Sequence, residues 1–451
     1  MSTYPTLSKR QVWTIWGAAT SFYFLRVILF IALGVFGAKI QTAFSISAGR
    51  FGSLAGGAYV VYGILQLPLA LLMDRIGPRI VLTVSCSACV CGSLAFALAT
   101  NMYWAELGSL LIGGGAAIAY VGAMSVTRRL FLATDFAFVV GLIVLVGSAG
   151  GAGMQELFAV LTRWESWRTI VMALAGLGTL ILGLLWLIIP PEVSRKESGT
   201  PPARPRNLLS WCKDLKGVVS HRQIWLAGIY RGLTLGQMLS FGYVWDIPFQ
   251  MTRYNDLSKS VAINCAVLIG FGLGSATVGR ISDRIRSRLL PMRITAVVMM
   301  FLMGCLIWFP GANAWVEACL LFGFGFSCGG ASLGHALGAE SSPKYLTATA
   351  LGFVSTIAYL IAGGLQILPG IFLDMTPTPH PLAGMVCRHT VGQYCDSFII
   401  FPIASICALA ATVGLRENFP ERSPEARRSN DTASARNTGG CETDTCGNGP
   451  D

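Results

Sequence analysis

A long apolar run ends in the stretch Leu72-Met73-Asp74-Arg75-Ile76-Gly77-Pro78-Arg79. A second apolar run ends in the related stretch Gly279-Arg280-Ile281-Ser282-Asp283-Arg284-Ile285-Arg286. Asp74 and Asp283 are 209 positions apart in a chain of 451 residues, so the two copies lie nearly half a chain apart. A duplicated Asp-Arg turn between apolar runs predicts two related membrane bundles.

The composition favours a membrane protein. Hydrophobic residues make up 53% of the chain and charged residues 12%, against roughly 25% charged in ordinary soluble domains. A chain with so few charges cannot cover a soluble surface, so lipid must solvate much of it. The net charge of +11 could favour nucleic acid, but the Lys and Arg residues lie in short loops and polar segments, not in a basic domain. We therefore expect no nucleic-acid partner.

Twelve apolar windows are long enough to cross a bilayer, which takes about 20 residues in a helix. The first six predicted spans are 13–38, 50–73, 80–99, 105–127, 135–158 and 169–189. The other six are 224–250, 260–281, 292–309, 316–338, 346–373 and 397–415. The predicted fold class is an all-α membrane protein with twelve transmembrane helices in two pseudo-symmetric six-helix bundles.

Polar segments divide the chain around these bundles. We predict a cytoplasmic N-terminus at 1–12, a first bundle at 13–189, a central loop at 190–223, a second bundle at 224–415 and a tail at 416–451. The tail has almost no apolar residues, so we expect it to be disordered and cytoplasmic. The first apolar run is too long for a removable signal peptide and lacks a small-residue cleavage site.

The orientation follows from the Lys and Arg residues of the loops. With the N-terminus inside, the inner segments hold 24 of them and the outer loops hold 7. Because positive residues concentrate on the cytoplasmic side, we expect both termini there, in a plasma membrane, with a bacterial inner membrane favoured. Most of the 13 cysteines fall in apolar runs and behave as small hydrophobes. Whether Cys387 and Cys395 pair in their polar loop is left open.

The order of segments resembles the major facilitator superfamily. It consists of six spans, a basic loop and six further spans, with Asp-Arg loops after the second and eighth spans. The family's loop pattern is Gly-x-x-x-Asp-Arg-x-Gly followed by basic residues. The first copy has Ala70 in place of the leading Gly, and the second has Arg286 in place of the later one. The resemblance covers about 10–416. The stretches 63–79 and 347–353 further resemble bacterial organic-anion symporters and phagosomal nutrient transporters.

This resemblance implies a transporter that works by alternating access, with the Asp-Arg loops as conformational latches. A carboxylate at the end of a span can meet a helix N-terminus or a loop arginine. The candidate latch residues are Asp74, Arg75, Gly77, Arg79, Gly279, Asp283 and Arg284. Alternatively, the loop charges only fix the topology.

Two arginines fall inside predicted spans, Arg26 in the first and Arg231 in the seventh. An arginine at mid-membrane costs roughly 2.5–3.5 kcal/mol on lenient insertion scales, so each should face a cavity or a partner. Arg26 precedes Asp74 by 48 residues and Arg231 precedes Asp283 by 52, which places them at nearly equivalent positions of the two bundles. Two such guanidiniums suit a carboxylate or a phosphate. They resemble the arginine pair that clamps phosphate in sugar-phosphate antiporters. Alternatively, each arginine pairs with a carboxylate or with helix carbonyls.

Other polar residues of the spans are candidates for the same site, because polar groups in hydrocarbon need partners. They are Tyr23, Tyr59, Tyr62, Gln66, Tyr120, Tyr230, Gln237, Asn264 and Tyr359. For each of them, interhelical hydrogen bonding is the alternative. His335 and Glu340 are candidates for ion coupling, although a hydrogen-bonded packing role is the commoner one for such a histidine.

The predicted function is secondary active transport of a small organic anion (a carboxylate, sugar acid or phosphate ester) or of an amino acid, by ion symport or anion exchange. The alternatives are efflux of a drug or siderophore by proton antiport and a non-transporting sensor on the same fold. No Gly-Lys-Ser/Thr loop and no metal-ligand spacing of histidines is present, so we expect no enzyme, cofactor or metal site. The expected partners are an anionic small molecule, a proton, sodium ion or counter-anion, and the bilayer; we expect a monomer.

Overall fold

The structure, a computed structural model, describes residues 8–191, 216–309, 313–342, 346–376 and 389–417. Long helices dominate these residues. They are α1 (Lys9–Phe44), α2 (Ala48–Ile76), α3 (Pro78–Ala97), α4 (Met102–Leu130), α5 (Ala133–Leu161), α6 (Trp167–Ile188), α7 (222–254), α8 (Leu257–Ile285), α9 (Leu289–Trp308), α10 (Ala314–Glu340), α11 (Thr347–Met375) and α12 (Val391–Val413). Most of the predicted central loop, nearly all of the tail and Cys387 lie outside the described residues.

Several helices begin where the local sequence favours a start. Ser8 and Gln11 form a capping box at α1, because each side chain accepts the other residue's backbone N–H. The side chain of Ser47 caps α2 and that of Asn101 caps α4. In the first Asp-Arg loop, Gly77 has a φ of 87°, which glycine adopts without strain, and α3 begins at the next residue.

Eleven helices of the described part are long and apolar enough to cross a membrane, one fewer than predicted. The missing one is the predicted span 224–250. There α7 is interrupted by a π-helical stretch, Met238–Trp245, and its longest α-helical piece, Arg222–Gln237, has 16 residues. Polar residues such as Arg231 and Asp246 also reduce its hydropathy. The number of twelve spans and the division into two bundles stay predictions.

The halves of the chain, 8–191 and 216–417, meet through three helix pairs: α2 with α11, α5 with α8, and α1 with α7. Along the first pair the backbones touch at glycines. A Cβ atom on Gly56 would lie 2.6 Å from the carbonyl oxygen of Gly363. Further along, the hydroxyl of Thr356 donates to the carbonyl oxygen of Gly63 at 3.0 Å. Such small-residue contacts allow close helix approach in a bilayer, and this seam between α2 and α11 runs beside the candidate site.

Candidate functional site

Arg26 lies near the middle of α1 and is 5% exposed. Its guanidinium carbon lies 5.0 Å from the ring centre of Phe30 and 5.1 Å from that of Tyr62. Nε and Nη2 are buried and donate no hydrogen bond to the described residues. These two nitrogens form one edge of the guanidinium, whose parallel N–H bonds fit the two oxygens of a carboxylate. Arg26 therefore offers an unused bidentate edge between two aromatic rings.

Arg231 is only half-buried, and its environment differs. Its Nη1 donates to the carbonyl oxygen of Ala331 in α10 at 3.0 Å, while Nε donates no hydrogen bond to a described residue. Gly334 allows this approach, since a Cβ there would lie 2.9 Å from the Cβ of Arg231. Among the described residues, neither Arg231 nor Arg26 forms an ion pair with a carboxylate. The two arginines are thus unequal, because Arg231 already uses part of its donor capacity.

Three tyrosines of α2 and α11 lie beside Arg26. The ring centres of Tyr59 and Tyr359 are 6.2 Å apart and the rings are nearly parallel, with an interplanar angle of 10°. The ring centres of Tyr62 and Tyr359 are 4.2 Å apart. Tyr62 and Tyr359 lie close to both guanidiniums. Because Tyr59 and Tyr62 are in α2 and Tyr359 is in α11, the tyrosines also close the seam between the halves.

Two further predicted tyrosines complete the cluster. Tyr23 lies close to Arg26, and Tyr120 lies close to Arg231. Their ring centres are 5.4 Å apart. Both are half-buried, as Arg231 is, whereas Tyr59 and Tyr62 are at most 1% exposed. We call Arg26, Arg231 and the five tyrosines (Tyr23, Tyr59, Tyr62, Tyr120 and Tyr359) the arginine–tyrosine cluster.

Other predicted site residues bond between helices instead. The hydroxyl of Tyr230 donates to the carbonyl oxygen of Met292 in α9 at 3.1 Å. Gln237 bonds Ser405 of α12 at 3.1 Å, and Asn264 donates to the carbonyl oxygen of Gly242 at 2.9 Å. None of these three hydrogen bonds involves Arg26 or Arg231. This agrees with the alternative stated for these residues, which is hydrogen bonding between helices. Gln66 is different, because its side-chain oxygen is buried and accepts no hydrogen bond from the described residues.

The two candidates for ion coupling lie apart. Nε2 of His335 shares a hydrogen bond with the hydroxyl of Ser355 at 2.6 Å, and the ring lies close to Arg231. Glu340, at the end of α10, instead accepts from Nη2 of Arg288 at 2.9 Å. Only His335 therefore adjoins the arginine–tyrosine cluster.

The second Asp-Arg loop forms an ionic network with Arg288. Nη1 of Arg288 donates to Asp283 at 2.6 Å, and its other nitrogens donate to Glu340. Burial lowers the pKa of Arg288, but its hydrogen bonds with Glu340 and Asp283 outweigh burial and raise the pKa above its usual value. Glu417, beyond α12, accepts from the backbone N–H groups of Arg288 and Leu289. All of these contacts lie within the second half of the chain.

The remaining loop candidates have simpler surroundings. The guanidinium of Arg79 lies 4.4 Å from the ring centre of Trp186, while Arg75 and Arg284 are exposed. A Cβ on Gly279 would meet no atom within 4 Å. Nothing is described of the side chain of Asp74. A latch between the halves, formed by these loops, stays a prediction.

The structure adds Tyr243, which the sequence analysis missed. It is 6% exposed and lies close to Arg26 and Tyr23. Tyr243 belongs to the π-helical stretch of α7, and a Cβ on Gly34 of α1 would clash with its carbonyl oxygen. Tyr243 lies inside the predicted span 224–250, so the argument that polar groups in hydrocarbon need partners applies to it as well and was the signal that could have found it.

Comparisons with known proteins agree with this architecture. The chain is 22% identical over 390 residues to a probable L-galactonate transporter of Escherichia coli (strain K12), covering 81% of this chain and 84% of that protein. A bacterial homolog of the human lysosomal transporter Spinster, inward-facing and occupied, superposes with a TM-score of 0.70 at 16% identity, covering 90% of this chain and 97% of that one.

The nucleoside transporter NupG, in a mutant form, superposes with a TM-score of 0.69 at 12% identity, covering 88% of this chain and 99% of that one. The family model of the Major Facilitator Superfamily matches residues 15–366. The family and these relatives indicate a multi-pass membrane transporter rather than an enzyme, with a small-molecule substrate. The chain belongs to the major facilitator superfamily.

Proposed function

We propose that this transporter moves a small organic anion whose carboxylate binds Arg26. The unused Nε–Nη2 edge of Arg26 carries the proposal. A buried guanidinium without a carboxylate partner is costly, and an anionic substrate would supply the missing charge and both acceptor oxygens. Arg231 contributes its Nε, which donates to no described residue, and a second positive charge beside Tyr62 and Tyr359.

A hydroxylated carboxylate or an amino acid fits the surroundings better than an apolar acid. Gln66 follows Tyr62 by one helical turn on α2, so the two share a face. Its side-chain oxygen is a buried acceptor without a donor among the described residues. A substrate hydroxyl or ammonium group could donate to such an acceptor. The name of the E. coli relative, a probable L-galactonate transporter, supports a sugar acid at low identity.

The proposal includes alternating access by two six-helix bundles, with twelve spans, both termini cytoplasmic and a monomer in a bacterial inner membrane. The pairing of α2 with α11 and of α5 with α8 across the halves supports this arrangement. Transport is driven by ion symport or by exchange for another anion. His335, beside Arg231, is the residue through which proton coupling would act, because a proton there would change the charge next to the anion.

Uptake by purified protein in liposomes tests the proposal. Labelled sugar acids, other carboxylates, phosphate esters and amino acids should be offered to the wild type and to Arg26→Lys. Lysine keeps the charge but loses the parallel donors, so the KM of the preferred substrate should rise about 10-fold or more.

Arg168→Lys is the matched control, because Arg168 also lies beside aromatic rings and donates to a carbonyl oxygen, that of Ala99 at 2.9 Å, away from the cluster. Its KM should stay unchanged. Uptake of every anion by Arg26→Lys at the wild-type KM would contradict the proposed carboxylate site. Preferred uptake of uncharged amphipaths would instead favour a different substrate class.

A further inference from the structure

Two polar contacts join the halves at the end of the molecule where α2 and α8 begin. The backbone N–H of Gly49 donates to Oδ2 of Asp374 at 2.9 Å. Nη2 of Arg163 donates to the hydroxyl oxygen of Ser258 at 2.7 Å. We propose that these two contacts form a terminal latch that keeps this end closed and must open in each transport cycle. The inference rests on the alternating access of the proposed function.

The two contacts are related by the internal repeat. Gly49 and Ser258 are 209 positions apart, the same spacing as between the two Asp-Arg loops. Each is the second residue of its helix, α2 or α8. Their partners, Asp374 and Arg163, are 211 positions apart and lie at the ends of α11 and α5. Polar contacts at equivalent positions of both repeats indicate one symmetric device rather than two unrelated surface contacts.

The chemistry of the first contact suits a reversible latch. The first N–H groups of a helix have no partner within it, and the side chain of Ser47 accepts from only one of them, that of Arg50. Asp374 accepts a second one, and its negative charge is favourable at the helix N-terminus. Asp374 and Arg163 are both exposed, so either contact can break without leaving a buried charge.

Behind the terminal latch, the seams between the halves are tightly packed. A Cβ on Gly52 would lie 2.9 Å from the carbonyl oxygen of Gln366, so α2 and α11 touch there. In the α5–α8 seam, Sγ of Cys265 lies 3.4 Å from the carbonyl oxygen of Ala152 and the residue is 9% exposed. Cys265 follows Ser258 by seven residues, which is two helical turns. Opening of the latch would expose this thiol, so Cys265 is a native reporter.

The test is modification of Cys265 by a membrane-impermeant maleimide in liposomes that contain the full chain. Peptide mass spectrometry measures the modification rate in the wild type, Asp374→Ala, Arg163→Ala and Ser258→Ala. Loss of Asp374 should raise the rate roughly two- to fivefold, from the energy of a negative charge at a helix N-terminus. Arg163→Ala and Ser258→Ala each remove an exposed charged hydrogen bond, which is worth at most about 1 kcal/mol, so their rates should rise by a similar factor. The variant lacking both contacts should react faster than either single variant.

Lys39→Ala is the matched control. Its Nζ donates to the carbonyl oxygen of Thr162 at 2.8 Å, next to Arg163, but this contact lies within the first half of the chain. Its modification rate should equal that of the wild type.

Wild-type rates in all latch variants would overturn the inference, and so would an equal rise in Lys39→Ala, which would indicate general loosening. If Arg163→Ala does not fold, Ser258→Ala tests the same contact by removing only the hydroxyl. This test and the uptake test can fail independently. Faster modification of Cys265 in a protein that takes up no anion would support the latch and contradict the proposed anionic substrate. Anion uptake with an unchanged modification rate in the latch variants would support the substrate and contradict the latch.

Discussion

Alanine at Gly363 tests whether the α2–α11 seam is as tight as the structure indicates. A Cβ there would lie 2.7 Å from Cγ2 of Val60 and 2.9 Å from the carbonyl oxygen of Gly56. The backbone oxygen cannot rotate away, so the helices must separate by several tenths of an ångström. Overpacking of this kind costs about 1–3 kcal/mol. If the seam opens in the alternative conformation, that cost shifts the equilibrium toward it by about 5–150-fold.

The adjacent residue supplies the control. A Cβ on Gly364 would meet no atom within 4 Å, and alanine favours a helix over glycine by roughly 0.5–1 kcal/mol. Thermal unfolding in detergent should therefore give a lower Tm for Gly363→Ala and an unchanged or higher Tm for Gly364→Ala. Maleimide modification of Cys265 should rise in Gly363→Ala only. Equal melting temperatures and equal modification rates for the two variants would refute the close contact between α2 and α11.

Two ionic sites should differ in their effect on stability. Glu317 is 2% exposed and pairs with Arg253, so Glu317→Gln removes a buried charged contact and should cost about 1–3 kcal/mol, seen as a lower Tm. The exposed pair of Glu106 is the control, and Glu106→Gln should cost at most about 1 kcal/mol. Arg288→Ala removes charged hydrogen bonds to the carboxylates at two helix ends, Asp283 of α8 and Glu340 of α10, and should cost about 1–3 kcal/mol. Arg284→Ala changes an exposed neighbour in the same loop and should melt like the wild type. If Glu317→Gln melts at the same temperature as Glu106→Gln, the assigned Glu317 contact is contradicted. If Arg288→Ala melts at the same temperature as Arg284→Ala, the assigned Arg288 contacts are contradicted.

Helix positions were predictable from the sequence because apolar length and capping residues act locally. The outermost predicted spans of the two halves, 13–38, 169–189, 224–250 and 397–415, fall on α1, α6, α7 and α12. The division into two bundles stays a prediction. α7 also lies at its predicted position, 222–254 against 224–250, but a π-helical stretch interrupts it, so its longest α-helical piece has only 16 residues. Tyr243 is one of the tyrosines inside the predicted spans, and its place beside Arg26 depends on how closely α7 packs against α1 at Gly34, which the sequence of α7 alone does not indicate.

The candidate site was only partly predictable. Repeat spacing placed Arg26 and Arg231 at equivalent positions, and the structure brings both next to Tyr62 and Tyr359. Spacing could not show that Arg231 donates to the carbonyl oxygen of Ala331 whereas the Nε–Nη2 edge of Arg26 donates to no described residue. That difference depends on how each helix is rotated against its neighbours. Rotation is set by packing over the whole bundle and not by one helix.

The most direct test of the account compares substrate binding by Arg26→Lys and Arg231→Lys. The best anion from the uptake panel is titrated into each purified variant, and Kd is measured by calorimetry. Because Arg26 has the unused bidentate edge, its variant should lose about 10-fold or more in affinity, and Arg231→Lys should lose less. Wild-type affinity in Arg26→Lys, or a larger loss in Arg231→Lys, would contradict the assignment of Arg26 as the main anion-binding residue.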